Sequence, residues 1–140
     1  MLIDKNAGES PIVFRLDPKS GVPPYLQLVQ QTEQALRLGQ LTVGDRLPKV
    51  KEVVAALAIN PNTVLKAYRE LEHKGLAVGR PGQGTFIEAT LGGVGLREQT
   101  ALRRRLERWL REAAQTGLDD EGIAALINST LQQFRSREVA

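Results

Sequence analysis

Cysteine is absent from the 140-residue chain, and histidine occurs once, at His73. The first absence excludes disulfides, thiolate metal centres and cysteine nucleophiles, and the second excludes any site built on two imidazoles. Aromatic residues are scarce at 4%, so the core has to be assembled from aliphatic side chains, which a hydrophobic content of 41% permits. No apolar run approaches the roughly 18 residues that a membrane span requires. The start of the chain, with Asp4, Lys5, Asn6 and Glu9 close together, lacks an apolar signal core. The expectation is a cytoplasmic protein with no membrane partner. Catalytic constellations are missing too: there are no paired carboxylates on a cleft and no nucleophile–histidine pair. The glycine-rich stretch 79–84 lacks the lysine and the following helix of a phosphate-binding loop. Neither an enzyme nor a metal or other cofactor is expected. A net charge of +3 permits nucleic acid as a partner without arguing for it.

What is present is a run of helix and turn signals. Residues 1–10 read as a loose polar start, and Ile12, Phe14 and Leu16 alternate as a short strand or extended arm. Pro18, Gly21, Pro23 and Pro24 interrupt regular structure before a helix whose apolar face is Tyr25, Leu28, Val29, Thr32 and Leu36, stopping at Gly39. A second helix begins near Pro48 and carries Val50, Val53, Val54 and Leu57 on one face. Asn60 is then placed to cap a third helix, with Pro61 at its first position, where a missing N–H costs nothing. That helix buries Val64, Ala67, Tyr68 and Leu71 and ends at Gly75. Two β-prone runs, Leu76-Ala77-Val78 and Thr85-Phe86-Ile87, flank a glycine-rich tip, and Leu91-Gly92-Gly93-Val94-Gly95 reads as a linker. Beyond it, Leu102, Leu106, Trp109, Leu110 and Ala113 share one helical face up to Thr116-Gly117. Asp119 caps a last helix with the stripe Ile123, Leu126, Ile127, Thr130, Leu131 and Phe134.

The order helix, helix, tight turn, helix, hairpin is the plan of a winged helix-turn-helix. The expected fold is therefore mainly α with a small β-hairpin wing, over residues 1–90, followed by a two-helix dimerisation tail over residues 91–140. On the third helix, Asn62, Lys66, Arg69 and His73 lie at i, i+4, i+7 and i+11, opposite the apolar face. Such a stripe of amides and cations fits a major groove about 12 Å wide, with Asn suited to adenine and Lys to guanine or phosphate. Thr63, with Asn60 beside it at the helix start, can meet a phosphate, as can Lys49 and Lys51 around the start of the second helix. At the hairpin tip, Arg80 is the cation for a phosphate or minor groove, and Gly82, Gln83 and Gly84 allow close approach to DNA. The bland alternative is an ordinary turn and a solvated helix face, or a winged-helix module that binds protein and never touches DNA. Residues 45–90 hold seven Lys/Arg against five Asp/Glu, so affinity from charge alone is moderate and a dimer is needed. In the tail, Leu102, Leu106, Trp109, Leu110, Ile123, Ile127, Leu131 and Phe134 are the expected two-fold interface, with folding back onto the same chain as the rival.

The runs Leu47-Pro48-Lys49-Val50-Lys51-Glu52-Val53, Ile59-Asn60-Pro61-Asn62-Thr63-Val64, Ala67-Tyr68-Arg69-Glu70-Leu71-Glu72, Gly75-Leu76 and Gly82-Gln83-Gly84-Thr85-Phe86-Ile87 together closely resemble the GntR family of transcription regulators. Pro24-Tyr25-Leu26-Gln27-Leu28 is similar to that family's entry into its first helix. The resemblance implies binding to double-stranded operator DNA, carried over to Lys51, Asn62, Thr63, Lys66 and Gly82. About fifty residues remain after the linker, too few for the effector-binding domain usual in the family. A two-helix tail resembles the YtrA subfamily, which implies a homodimeric repressor of a palindromic operator. Any small-molecule effector would then have to bind at the dimer interface or between domains. The chain departs from the family's usual Ser at Lys49, its usual Arg at Lys51 and the Arg that many members have at Pro61.

Overall fold

The computed structural model describes residues 9–139, so most of the polar start lies outside the described residues. Its elements follow in the order α1 (Pro24–Arg37), α2 (Val50–Leu57), α3 (Pro61–His73), β1 (Ala77–Arg80), β2 (Gly84–Ile87), α4 (Leu96–Thr116) and α5 (Asp120–Val139). The chain divides into two units between Gly93 and Val94.

In the first unit, α1 and α3 pack their apolar faces together, and α2 closes one side. Leu28, Val29, Leu36, Leu41, Leu47, Val64, Leu71 and Ile87 are fully buried, which makes the core almost wholly aliphatic. Thr32 is buried among them, and its hydroxyl donates to the Leu28 carbonyl at 2.9 Å. The alternating Ile12-Phe14-Leu16 segment is an extended arm, not a strand, although Phe14 is buried against the core. The reason is its partner. Gln27 and Gln31, four residues apart on α1, offer side-chain amides where a neighbouring strand would offer backbone. Gln31 accepts from the Arg15 N–H at 2.9 Å and donates to the Arg15 carbonyl at 2.6 Å. Gln27 likewise accepts from the Asp17 N–H at 2.9 Å and donates to the Val22 carbonyl at 2.9 Å.

The turn between α2 and α3 comprises only Ala58, Ile59 and Asn60. Ala58 closes α2 in the left-handed region at φ 53°, a conformation that costs a residue with a Cβ roughly 1 kcal/mol. Asn60 caps α3 as its sequence implies, with its Oδ1 accepting from the Asn62 N–H at 2.8 Å, an arrangement worth about 1 kcal/mol. Pro61 occupies the first helical position. The hairpin pairs Ala77 with Ile87 through Arg80 with Gly84 in antiparallel register. Its tip is a turn closed by the Gln83 N–H on the Arg80 carbonyl at 2.9 Å, with Pro81 and Gly82 (φ 75°) at the centre, the type II pattern. The outer side of β2 is bonded to the 44–47 segment: the Leu47 N–H meets the Thr85 carbonyl at 2.9 Å and the Ile87 N–H meets the Asp45 carbonyl at 2.8 Å. These features make the unit a winged helix-turn-helix.

Tyr68, on the buried side of α3, packs against Phe14 with the rings tilted by 47° and their centroids 6.5 Å apart, and donates its hydroxyl to the Pro48 carbonyl, which ties α3 to the start of α2. Burial, and secondarily the Glu52 carboxylate, pushes its phenol well above the ordinary value of 10.0. A phenol that holds its proton longer in the folded than in the unfolded state contributes stability that is present below pH 10 and lost as pH rises beyond it. Tyr68→Phe is therefore expected to cost about 1 kcal/mol at neutral pH and to reduce the alkaline loss of stability. Urea unfolding of both proteins at a series of pH values around and above 10 checks this; parallel curves would contradict the reading.

The second unit is α4 and α5. Gly117, left-handed at φ 109°, ends α4, and Asp119 caps α5 through its Oδ1 on the Gly122 N–H at 2.7 Å. The apolar stripes of both helices remain largely uncovered within this unit. Leu102 is 56% exposed, Leu106 50%, Leu131 42% and Phe134 59%, while Trp109, Leu110 and Ile123 are half-buried. Among the described residues no helix is long and apolar enough to cross a membrane.

Candidate nucleic-acid interface

The face of α3 turned away from the core is the first candidate surface. With Val64, Ala67, Tyr68 and Leu71 buried, helical geometry sends Asn62, Lys66, Arg69 and His73 to solvent, and all four are exposed. Thr63 is half-buried beside them, and its N–H meets the Asn60 carbonyl at 3.0 Å. Asn60 divides its side chain: the oxygen is committed to the cap, which leaves the amide NH2 for an outside acceptor. Lys66 is less free than a solvated cation. Its Nζ lies 4.0 Å from the centroid of the Tyr25 ring, so the second residue of α1 holds the ammonium over its face. At an exposed site this attraction is about 0.5–1 kcal/mol, enough to orient the side chain but not to sequester it from DNA.

The wing provides the second surface. Arg46, Lys49, Arg80, Gly82, Gln83 and Gly84 line an open concavity of about 760 Å3 together with Gly79, Pro81 and Thr85. No carboxylate lines it, and three cations do. The Arg80 guanidinium lies 4.4 Å from the Phe86 ring centroid. Arg46 sits 5.2 Å from the same ring, so Phe86 is flanked by two guanidinium groups. Gly82 and Gly84 take φ values of 75° and 123°, where a side chain would be strained, and this keeps the tip narrow. Lys49 is the residue immediately before α2 and Lys51 falls in its first turn; both are exposed.

Two residues of this surface escape a reading by periodicity. Tyr25 counts as one member of the apolar face of α1, and nothing in its spacing announces that it supports Lys66 from 41 residues away. Arg46 precedes the buried Leu47 in what reads as a connecting turn. It joins the wing because it bridges to Phe86, a pairing 40 residues apart in sequence. Among the described residues no group of His, Cys, Asp or Glu could hold a metal ion.

Comparison with known proteins gives a consistent set of relatives. Bacterial regulatory proteins of the gntR family match residues 24–87, from the first residue of α1 to the last of β2. The HTH-type transcriptional repressor YtrA of Bacillus subtilis is 33% identical over 112 residues, which cover 79% of this chain and 86% of that protein. The HTH-type transcriptional regulator YhcF of the same organism is 35% identical over 103 residues, 74% of this chain and 85% of that one. Among solved structures, a transcriptional antiterminator from Listeria monocytogenes superposes with a TM-score of 0.54 at 30% identity, over 89% of this chain and 93% of that chain. YtrA from Sulfolobus acidocaldarius, a GntR-family transcription factor, gives 0.50 at 28% identity, over 69% and 96%.

Proposed function

Given that the chain belongs to the GntR family, on its short-tailed YtrA branch, and is a DNA-binding transcription regulator, we propose that it is a repressor that binds a palindromic operator as a homodimer in the cytoplasm. The winged unit is the DNA-binding domain and the two-helix tail the dimerisation domain. The observation that carries this reading is the division of α3 into a buried aliphatic face and an exposed face of Asn62, Lys66 and Arg69 at the mouth of a three-residue turn. Asn62 and Lys66 face base edges, Arg69 continues the stripe, and Thr63 and the Asn60 amide meet phosphate at the helix start. Lys49 and Lys51 grip the backbone from the start of α2, while Arg80 and the Gly82-Gln83-Gly84 tip reach phosphate or minor groove.

Homodimerisation is supported by the uncovered apolar stripes of α4 and α5, where Leu106, Trp109, Leu126, Ile127, Leu131 and Phe134 line an open groove of about 460 Å3. A second copy is the natural cover, since a symmetric pair also doubles the modest DNA contact of one winged unit. Repression is supported by the name of the Bacillus subtilis relative. Selecting duplexes from a random library with the full chain, at fixed salt, tests the whole proposal. Enrichment of an inverted repeat with half-sites about 34–36 Å apart, or a multiple of that, is expected. No enrichment, or a single asymmetric site, would overturn it.

A further inference from the structure

One strongly charged surface is not used by the interface above. α4 carries six arginines and three glutamates, so its formal charge of +3 equals that of the whole chain. Four of the six are not scattered. Arg97, Arg104, Arg108 and Arg111 stand at i, i+7, i+11 and i+14, which at about 100° per residue places them in one narrow stripe. That stripe lies opposite the face of Leu102, Leu106, Trp109 and Ala113, and all four side chains are exposed. None of the four forms an ion pair among the described residues, although Glu107 stands four residues before Arg111 and Glu112 four residues after Arg108. Like charges four residues apart, as at Arg104 and Arg108, destabilise a helix by a few tenths of a kcal/mol. Apolar burial does not compensate here, because the stripe faces away from the apolar side.

We propose that this arginine stripe is a second, sequence-independent DNA-binding surface, which takes the phosphate backbone of duplex flanking the operator. The inference rests on the homodimeric operator-binding reading. There, the apolar face of α4 is covered by a second copy and the stripe is left outward, once on each protomer. The chemistry favours a phosphate polymer. Guanidinium groups form bidentate bonds to phosphate and are the residues chosen where that geometry matters. Fourteen residues of helix span about 21 Å, the length of roughly six base pairs at 3.4 Å each. Duplex DNA is also the polyanion closest at hand: only Gly92-Gly93-Val94-Gly95 separate α4 from the winged unit, about 14 Å of chain at most. A tail tethered this closely meets flanking DNA at high effective concentration once the winged units are seated.

The test compares two duplexes carrying the same selected operator, one ending at the half-sites and one extended by about two helical turns of unrelated sequence on each side. Affinities are measured as a function of salt for the wild type, for R104Q/R108Q on the stripe and for R103Q/R105Q, which removes equal charge beside it. Each phosphate engaged steepens the log–log salt dependence by about 0.9. The wild type is expected to bind the extended duplex more steeply than the short one. In a dimer R104Q/R108Q removes up to four of the eight stripe contacts, so it should lose about half of that difference, about 100-fold in affinity change between 50 and 200 mM salt. R103Q/R105Q should keep it, and all three proteins should bind the short duplex alike. Equal salt slopes for wild type and R104Q/R108Q on the extended duplex, with the short duplex still bound, would overturn the inference alone and leave the stripe to an acidic protein partner. Loss on both duplexes by R104Q/R108Q would also overturn it, by showing a role in assembly. Failure of the wild type to bind the short duplex would overturn the parent reading as well.

Discussion

Lys66→Glu is expected to abolish operator binding at moderate salt while leaving the protein folded. Lys66 occupies the centre of the exposed α3 face, one turn on from Asn62, with its Nζ held over Tyr25. A good side-chain contact to a base edge discriminates by about 1–3 kcal/mol, and a symmetric operator makes each contact twice. Removing the ammonium thus costs about 2–6 kcal/mol, or about 30-fold to 10^4-fold, before the repulsion between the new carboxylate and phosphate is counted. The fold should survive, because the side chain is exposed and the lost cation–π contact is worth about 1 kcal/mol or less. Tyr25→Leu separates orientation from charge: with the ammonium present but unsupported, affinity should fall only a few-fold. Fluorescence anisotropy with a selected duplex, read beside thermal unfolding, decides the matter. Wild-type affinity in the Lys66→Glu protein would mean that α3 does not face the bases, and the account of the site would have to be abandoned.

The elements legible in the sequence are those written in short-range chemistry. Asn60 and Pro61 announce α3 because a cap and a proline act within three residues, and the turn at Pro81-Gly82 follows from one fixed φ and one positive φ. The apolar faces of α1 and α3 were equally open to reading, since helical period alone sorts Leu28, Val29 and Leu36, or Val64 and Leu71, to the core. What resisted was long-range or against propensity. Ala58 adopts a left-handed conformation that sequence assigns to glycine or asparagine, and the brevity of the turn imposes it. The arm at Phe14 is paired by the side chains of Gln27 and Gln31, for which no strand-pairing pattern exists. Arg46 reaches the wing through Phe86 and Tyr25 reaches α3 through Lys66; both contacts form only after the chain has folded. Helical period was enough to read which side of α3 is exposed, whereas the placement of Arg46 beside Phe86 and of Tyr25 beside Lys66 was not legible.

The tail raises a different question, because its side chains show what is uncovered and its partner has to be inferred. Replacing Leu131 and Phe134 together by Glu is expected to give a monomer whose winged unit is intact. Both are exposed within a protomer, 42% and 59%, so a charge there meets water in the single chain and costs little. In a symmetric pair the same positions lie in the apolar seam. Burying a Leu or Phe side chain is worth about 1.5–3 kcal/mol, and each substitution occurs twice, so the loss of about 6–12 kcal/mol is enough to dissociate a dimer. The core of the first unit, built on Leu28, Val64, Leu71 and Ile87, lies on the other side of the Gly93–Val94 division and should unfold as before. DNA binding should fall with dimerisation: a linked second half-site acts at millimolar effective concentration, and losing it removes about 10^2-fold to 10^4-fold in affinity. Light scattering and operator titration on one preparation read both effects. A dimer of unchanged mass would place the interface elsewhere. A monomer that still binds the operator at wild-type affinity would show that pairing is not what secures the DNA.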